Sequence, residues 1–172
     1  MLLDMSTASL IIETRGLSKR FGRRTAVADI DLSVPAGCAF GFLGHNGAGK
    51  TTVIRMLVGL TQPDAGTIQM AGQSLASHRE QILARVGAII EEPRFHPHLT
   101  GRENLAVIAA ARGPAAGRQI APALERAGLA DRATDRVGTY SQGMRQRLGI
   151  ARCLLADPKL IILDAPRARS GN

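Results

Sequence analysis

The stretch GHNGAGKTT, residues 44–52, constrains this chain more than any other part of its sequence. It follows the short apolar run CAFGFL and leads into KTTVIRMLVGL, whose apolar residues recur with helical spacing. Glycines at this density let the backbone turn successive N–H groups inward, and the start of the next helix adds partial positive charge. Because such a surface suits phosphate oxygens, the sequence predicts an α/β fold with a nucleoside-triphosphate site between a strand and a helix.

The residue types in this loop assign roles to particular positions. Lys50 is placed to reach the outer phosphates, and the Thr51 hydroxyl is placed to bind Mg²⁺. Asp164, which ends the apolar run LIIL, is predicted to hold the same Mg²⁺ through its water shell, as acids at strand ends beside such loops do. The predicted nucleotide-binding residues of the loop are Gly44, His45, Asn46, Gly47, Ala48, Gly49, Lys50, Thr51 and Thr52.

Apolar patterning divides the chain into a strand-rich part and a helical part, and strand signals vanish between Pro93 and Thr139. A Thr100–Glu103 capping box predicts the start of the first helix there. The outline is a β/α core with a helical segment inserted at roughly 94–140. Predicted strands are 10–16, 25–34, 38–43, 67–72, 86–90 and 159–164, and predicted helices are 50–60, 77–87, 99–113, 117–129 and 141–158. The apolar runs at 38–43 and 160–164 are expected to be buried strands. The second should have a neighbour on each side, or one bare edge if the next strand is missing.

The amino-acid composition bears on whether the protein binds nucleic acid, contains disulfides or a metal site, or spans a membrane. The net charge of +8 comes mainly from arginines, which supply 19 of the 22 basic residues. They are scattered and are not interleaved with aromatic residues, so no nucleic-acid partner is predicted. Cys38 and Cys153 fit neither a metal spacing nor a disulfide framework, and buried thiols in a reducing compartment are expected. The longest apolar run, LAVIAAA, is too short to span a membrane and the amino terminus lacks a basic leader, so a cytoplasmic protein is expected.

The stretch YSQGMRQRLGIARCLLADPKLIILD, residues 140–164, resembles the signature region of the ABC transporter ATPases. In that family a Leu-Ser-Gly-Gly-Gln motif begins a helix that leads to the strand bearing the Mg²⁺-binding Asp. Ser141 and Gly143 match the motif, and Tyr140, Gln142 and Met144 depart from it. The resemblance covers roughly residues 10–166. It implies an ABC-type ATP-binding domain, a phosphate-loop core with a β-rich N-terminal part, and residues 1–9 and 167–172 as atypical tails.

The same resemblance implies ligands and partners. It implies ATP and Mg²⁺ as cofactors, and a second ATP-binding subunit, identical or different. The signature residues Ser141, Gln142 and Gly143 would meet the γ-phosphate held by the phosphate loop of that partner. It further implies a transmembrane permease that holds the protein peripherally on the inner face of the cell membrane.

Two further residues take roles from the resemblance. Phe21 matches the aromatic residue that stacks on adenine, the alternative being an ordinary core Phe. Glu91 stands where the family usually has a Gln that contacts Mg²⁺ and the attacking water. The EEP sequence around Glu91 is similar to that of ABC subunits associated with peptide-antibiotic and multidrug export.

Ala165 departs from the family at a position of chemical importance. The family has a Glu there as general base, and the methyl group of Ala165 cannot accept a proton. The chemical step is therefore expected to be slowed by about 10²–10⁴-fold. The loop, strand and switch His that follow in the family are not recognisable in RARSGN, so a C-terminally truncated subunit is expected. Three possibilities stay open: a working ATPase, a non-hydrolytic ATP-binding subunit with a competent partner, and a truncated product without stable function.

Overall fold

The computed structural model describes residues 9–45, 47–90 and 93–164 of the 172-residue chain. The chain divides into two compact units, Met1–Leu83 and Ala84–Asn172. The first unit is rich in antiparallel strands and carries the predicted phosphate-binding loop, and the second is mainly helical around a pair of parallel strands. This mixture of strands and helices confirms the predicted α/β class.

The sheet of the first unit is formed by β1 (Leu10–Phe21), β2 (Arg24–Pro35), β3 (Ala65–Met70) and β4 (Gln73–Ser74). It is antiparallel, in the order β2-β1-β3-β4. A tight turn at Gly22, with φ 58°, joins β1 to β2, so that Phe21 pairs with Arg24 across the hairpin. The predicted strands at 10–16, 25–34 and 67–72 are thus present. Their buried apolar residues are Ile12, Leu17, Val27, Val34, Ile68 and Met70.

The described residues of the first unit also form two helices, α1 (Lys50–Leu57) and α2 (Arg79–Leu83). α1 buries Val53, Ile54, Met56 and Leu57, which recur on one helical face as the sequence predicts. It ends just before Gly59, whose left-handed φ of 69° does not continue a helix. Arg79 Nη2 donates to the Gly59 carbonyl at 2.9 Å and so ties the start of α2 to the end of α1.

The segment at 38–43 is not the buried strand that its apolar sequence predicts. Phe40, Phe42 and Leu43 are 48%, 36% and 91% exposed. Among the described residues no strand pairs with this segment, and a strand needs a neighbour to satisfy its backbone N–H and C=O groups. Cys38 is likewise exposed rather than buried, and its thiol donates to the Pro35 carbonyl at 3.2 Å.

The second unit contains the parallel strands β5 (Val86–Ile89) and β6 (Leu160–Leu163) and the helices α3 (Gly101–Arg112), α4 (Pro114–Arg118), α5 (Ile120–Arg126) and α6 (Gln142–Leu154). In the strand pair Ala88 lies beside Ile162. Between β5 and β6 the described residues form helices, turns and an isolated bridge from Thr100 to Arg136. Within the described ranges, no helix combines the length and the apolar character that crossing a membrane requires.

Two glycines let α6 lie against its neighbours. A Cβ atom on Gly87 of β5 would fall 2.7 Å from the Cβ of Cys153, and one on Gly149 of α6 would fall 2.8 Å from Cγ of Pro93. Larger residues at either position would push α6 away. Cys153 is buried at this contact, as predicted. The core of the unit consists of Leu105, Ala109, Ala116, Ala123, Leu124, Ala127, Leu129, Ala133, Val137, Tyr140, Leu148, Ala151, Leu154 and Leu155.

The expectation that 160–164 is buried with a neighbour on each side is wrong for the described residues, which agree with the alternative of one bare edge. β6 pairs with β5 alone among the described strands, and Ile162 is buried while Ile161 and Leu163 are 37% and 50% exposed. Parallel strands are usually buried on both faces of their sheet. The apolar pattern LIIL therefore indicates a strand with more neighbouring structure than the described strand pair provides.

The loop before α3 is attached to that helix by polar contacts. The buried Asn104 accepts a hydrogen bond from the His96 N–H at 2.8 Å and donates to the carbonyls of His96 and Thr100, each at 3.0 Å. Thr100 Oγ1 accepts from the Glu103 N–H at 3.1 Å, and Glu103 Oε2 accepts from the Thr100 N–H at 2.8 Å. The predicted capping box is therefore present.

Replacing Thr100 with Ala should lower the free energy of unfolding by about 1 kcal/mol, because the Glu103 N–H loses its acceptor. Thr100→Ser retains the hydroxyl and should stay within a few tenths of a kcal/mol of the natural protein. Urea unfolding followed by circular dichroism measures both. Equal stability of the Ala and Ser variants would show that the cap contributes nothing.

The Thr100–Glu103 capping box also predicts that the stability of the protein depends on pH. Hydrogen bonds from the backbone N–H and the hydroxyl of Thr100 hold the pKa of the Glu103 carboxyl below its usual value. Its contribution to stability is therefore complete above the usual pKa and is lost as the pH falls through the lowered one. Glu103→Gln should flatten this acid limb of the stability profile. Glu125→Gln, at an exposed position of α5, should leave the limb intact.

Candidate functional site

The predicted phosphate-binding loop runs from the segment 38–43 into α1. Gly47 and Gly49 have left-handed φ angles of 84° and 81°, which a glycine adopts without strain. The Ala48 N–H donates to the His45 carbonyl at 3.1 Å, so the loop folds back on itself. Gly44, His45, Gly47 and Ala48 are exposed, and Asn46 lies outside the described residues.

β2 positions the end of this loop. A Cβ atom on Gly49 would collide with the Ala26 carbonyl oxygen and would lie 3.1 Å from Val27 Cγ2. The absence of a side chain therefore lets the backbone at Gly49 rest directly on β2. α1 begins at the next residue, so this contact also fixes where its positive end lies.

The Lys50 side chain folds over the loop. Its Nζ donates to the carbonyl oxygen of Gly44 and, at 2.8 Å, to that of His45. Gly44 is close enough that an added Cβ would meet the aliphatic part of Lys50 at 3.8 Å. The ammonium charge is thus held at the loop rather than extended into solvent, which is where a phosphate-binding lysine is needed.

The start of α1 is suited to an anion. Gly49 is the N-cap and offers no side chain to the N–H groups of the first turn, and that turn contains no acidic residue. Backbone donors at a helix start favour phosphate, and the partial positive charge of the helix adds to that of Lys50. Thr51 and Thr52, the other predicted residues of the motif, are half-buried in this first turn. The residues present therefore fit a bound triphosphate.

The β1–β2 hairpin carries two further groups of interest, Phe21 and Arg24. Phe21, at the end of β1, is 54% exposed, and Lys19 Nζ lies 5.6 Å from the centre of its ring. An exposed ring is available for stacking in a way that a core Phe is not. Sequence patterns did not identify Arg24, the residue paired with Phe21, although a Cβ on Gly47 would lie only 3.9 Å from its Nη2. The hairpin spacing around Gly22 was the available signal, because it sets Arg24 opposite the predicted stacking residue.

In the second unit the signature residues form the beginning of α6. Ser141 is the N-cap, and its Oγ accepts a hydrogen bond from the Met144 N–H at 3.3 Å. Ser141, Gln142 and Gly143 are exposed. Tyr140 anchors this end, since its buried hydroxyl donates to the Arg132 carbonyl at 2.6 Å. Burial raises the pKa of Tyr140, so the hydroxyl remains a donor at neutral pH.

Of the predicted metal-binding residues, two are described. Thr51 belongs to the first unit, and Asp164 follows β6 in the second, where its N–H donates to the Ile89 carbonyl at 2.7 Å and extends the parallel ladder. Glu91 and the general-base position Ala165 lie outside the described residues. No group of three or more His, Cys, Asp or Glu side chains able to hold a metal occurs within the described ranges.

Comparisons with known proteins point to one family. Residues 27–168, which include both the phosphate loop and the signature region, match the family model described as ABC transporter. A bacitracin transport ATP-binding protein of Bacillus licheniformis is 46% identical over 158 residues, which make up 92% of this chain and 52% of that protein. A Nod factor export ATP-binding protein I of Burkholderia lata is 42% identical, with 90% and 52% covered.

A solved structure agrees with the sequence comparisons. An ATP binding subunit of an ABC transporter has a TM-score of 0.74 and 30% identity to this chain, and the match covers 92% of this chain and 67% of that one. The chain spans about half the length of the curated relatives it matches.

Gly49→Ala should disrupt the loop, because the new Cβ meets the Ala26 carbonyl and φ is left-handed. We expect a loss of about 1–3 kcal/mol in the free energy of unfolding. Gly37→Ala is a matched control, since Gly37 has a φ of 74° but open space around the position of a Cβ. Urea unfolding of both variants separates the steric cost from the backbone cost, and equal losses would show that the contact with β2 is unimportant.

Proposed function

Because the chain belongs to the ABC transporter family, we propose that it is an ATP-binding subunit, or the nucleotide-binding part of one, that couples ATP binding and hydrolysis to transport by a membrane permease. The observation that carries this proposal is the loop at 44–52. Its left-handed glycines, folded Lys50 and uncapped α1 together form a site for phosphate groups.

The proposed ATP site uses residues of the first unit. The backbone of Gly44–Thr52 binds the phosphate groups, and the Lys50 ammonium neutralises the outer ones. The exposed Phe21 ring stacks on adenine, and Arg24 adds positive charge beside Gly47. For Mg²⁺ we propose the Thr51 hydroxyl, with Asp164 and Glu91 assigned from the family resemblance. Bound Mg²⁺ would supply charge neutralisation to the phosphates.

The partners follow from the family. Relatives named for bacitracin transport and for Nod factor export support a role in export. A transmembrane permease would then hold the subunit on the inner face of the cell membrane. The exposed helix start at Ser141, Gln142 and Gly143 would face the phosphate groups held by a second ATP-binding subunit, identical or different.

Ala165 favours a second candidate, an ATP-binding subunit that hydrolyses slowly on its own. A methyl group neither accepts a proton nor orients water, so binding and hydrolysis would be separated in this chain. A partner subunit carrying a carboxylate at the equivalent position would then supply the competent site.

Lys50→Ala should raise the Kd for ATP by about tenfold or more, because one charge-assisted contact to phosphate is lost. Lys159→Ala removes an exposed lysine that precedes β6 and should leave the Kd unchanged. Isothermal titration calorimetry with Mg²⁺–ATP measures both variants. Unaltered affinity in Lys50→Ala would rule out the proposed role of the loop.

Ala165→Glu should increase the rate of ATP hydrolysis by about 10²-fold or more if the missing general base limits the reaction. Ala165→Gln is the matched control, because it has a similar size but cannot accept the proton. Phosphate release under saturating ATP is the measurement. Equal rates for the Ala, Gln and Glu forms would show that this position does not limit hydrolysis.

A further inference from the structure

A cavity of about 270 Å³ lies within the second unit, between β5, α3 and α6. Val86, Gly87 and Ala88 of β5 line it together with Ile108 of α3 and Cys153 of α6. Two arginines, Arg112 and Arg152, complete the lining. A cavity with an apolar wall and two cations has the composition of a binding site for a small organic anion.

Arg112 and Arg152 line the same cavity although they are 40 positions apart in the sequence. Arg112 is the last residue of α3, and Arg152 is in the last turn of α6. Both line the same cavity as Cys153. Burial raises the pKa of the Cys153 thiol, and the charges of Arg152 and Arg112 both oppose that rise. The thiol therefore stays neutral and does not repel an anion.

Neither guanidinium is engaged by the described part of the chain. Among the described residues no hydrogen bond and no ion pair is made by Arg112 or Arg152. An arginine at the C-terminal end of a helix often stabilises that helix by donating hydrogen bonds to its last carbonyl groups. Neither side chain does so within the described ranges, and Arg152 is nevertheless half-buried. A half-buried cation without an acceptor is costly unless something else supplies one.

We propose that this cavity binds the phosphate group of a small phosphomonoester, with Arg112 and Arg152 donating to its oxygens. A phosphomonoester carries close to two negative charges at neutral pH and so matches two guanidinium forks. The volume of about 270 Å³ accommodates the phosphate and a short carbon chain against Ile108. The site is independent of the phosphate loop and of the function proposed for it.

Nuclear magnetic resonance can test the site separately from the phosphate loop. The full chain is titrated with inorganic phosphate and with glycerol phosphate, and the amide signals of Gly87 and Ala88 report on the cavity. Those of Gly47 and Gly49 report on the loop. We expect both pairs to shift in the natural protein. In Lys50→Ala the Gly87 and Ala88 shifts should persist while the loop shifts weaken.

The arginine variants decide the proposal. Arg112→Gln alone, at an exposed helix end, should raise the Kd read from Gly87 and Ala88 about tenfold, and Arg112→Gln with Arg152→Gln further still. Arg118→Gln, at the end of α4 and outside the cavity lining, should change nothing. Gly87 and Ala88 signals that do not respond, or that respond equally in Arg112→Gln, would overturn the proposal.

A further arm distinguishes the source of the phosphate. Vesicles of phosphatidylcholine are compared with vesicles that also contain phosphatidic acid. Loss of the Gly87 and Ala88 signals only with phosphatidic acid, sensitive to Arg112→Gln, would assign the site to a lipid headgroup. Shifts with glycerol phosphate and none with the vesicles would assign it to a free metabolite. No response to any phosphate compound would refute the site.

Discussion

The contact between Gly49 and the backbone of β2 determines what the first unit can do. Because Gly49 has no side chain, the last turn of the loop rests against Ala26, and α1 begins one residue later. The direction of α1, the N–H groups of its first turn and the reach of Lys50 all follow from that starting point. A methyl group here would separate the helix from the strand, and the loop would lose its support although every predicted phosphate-binding residue would still be present.

Much of the fold was predictable because local chemistry determines it. The hairpin at Gly22, the capping box at Thr100 and the helix beginning after Ser141 each depend on a few neighbouring residues. The segment 38–43 was predicted wrongly because a strand depends on its neighbour as well as on its own side chains, and a periodic pattern contains no information about that neighbour. The burial predicted for β6 fails at Ile161 for the same reason, because the apolar pattern does not show which neighbours the strand has.

The candidate sites also differ in how far the sequence alone can predict them. The phosphate loop is contiguous, so its residue types and spacing are enough to identify it. Arg24 is near Gly47 only because a hairpin brings it there, and Arg112 and Arg152 share a cavity only because α3 and α6 end at the same side of β5. Neither proximity is visible in the scattered arginines of the sequence. Such groupings become apparent only when helix ends are placed in space.

The double attachment of Asn104 has a mechanical consequence. This side chain binds His96 through both its carbonyl and its amide, and Thr100 through its amide, so the loop and the first turn of α3 have no freedom to slide past one another. The loop begins directly after Glu91 and Glu92, where the family resemblance puts a residue that senses Mg²⁺. A displacement of the end of the loop next to Glu92 would therefore move α3 as a rigid body. Bending within the loop would not absorb it.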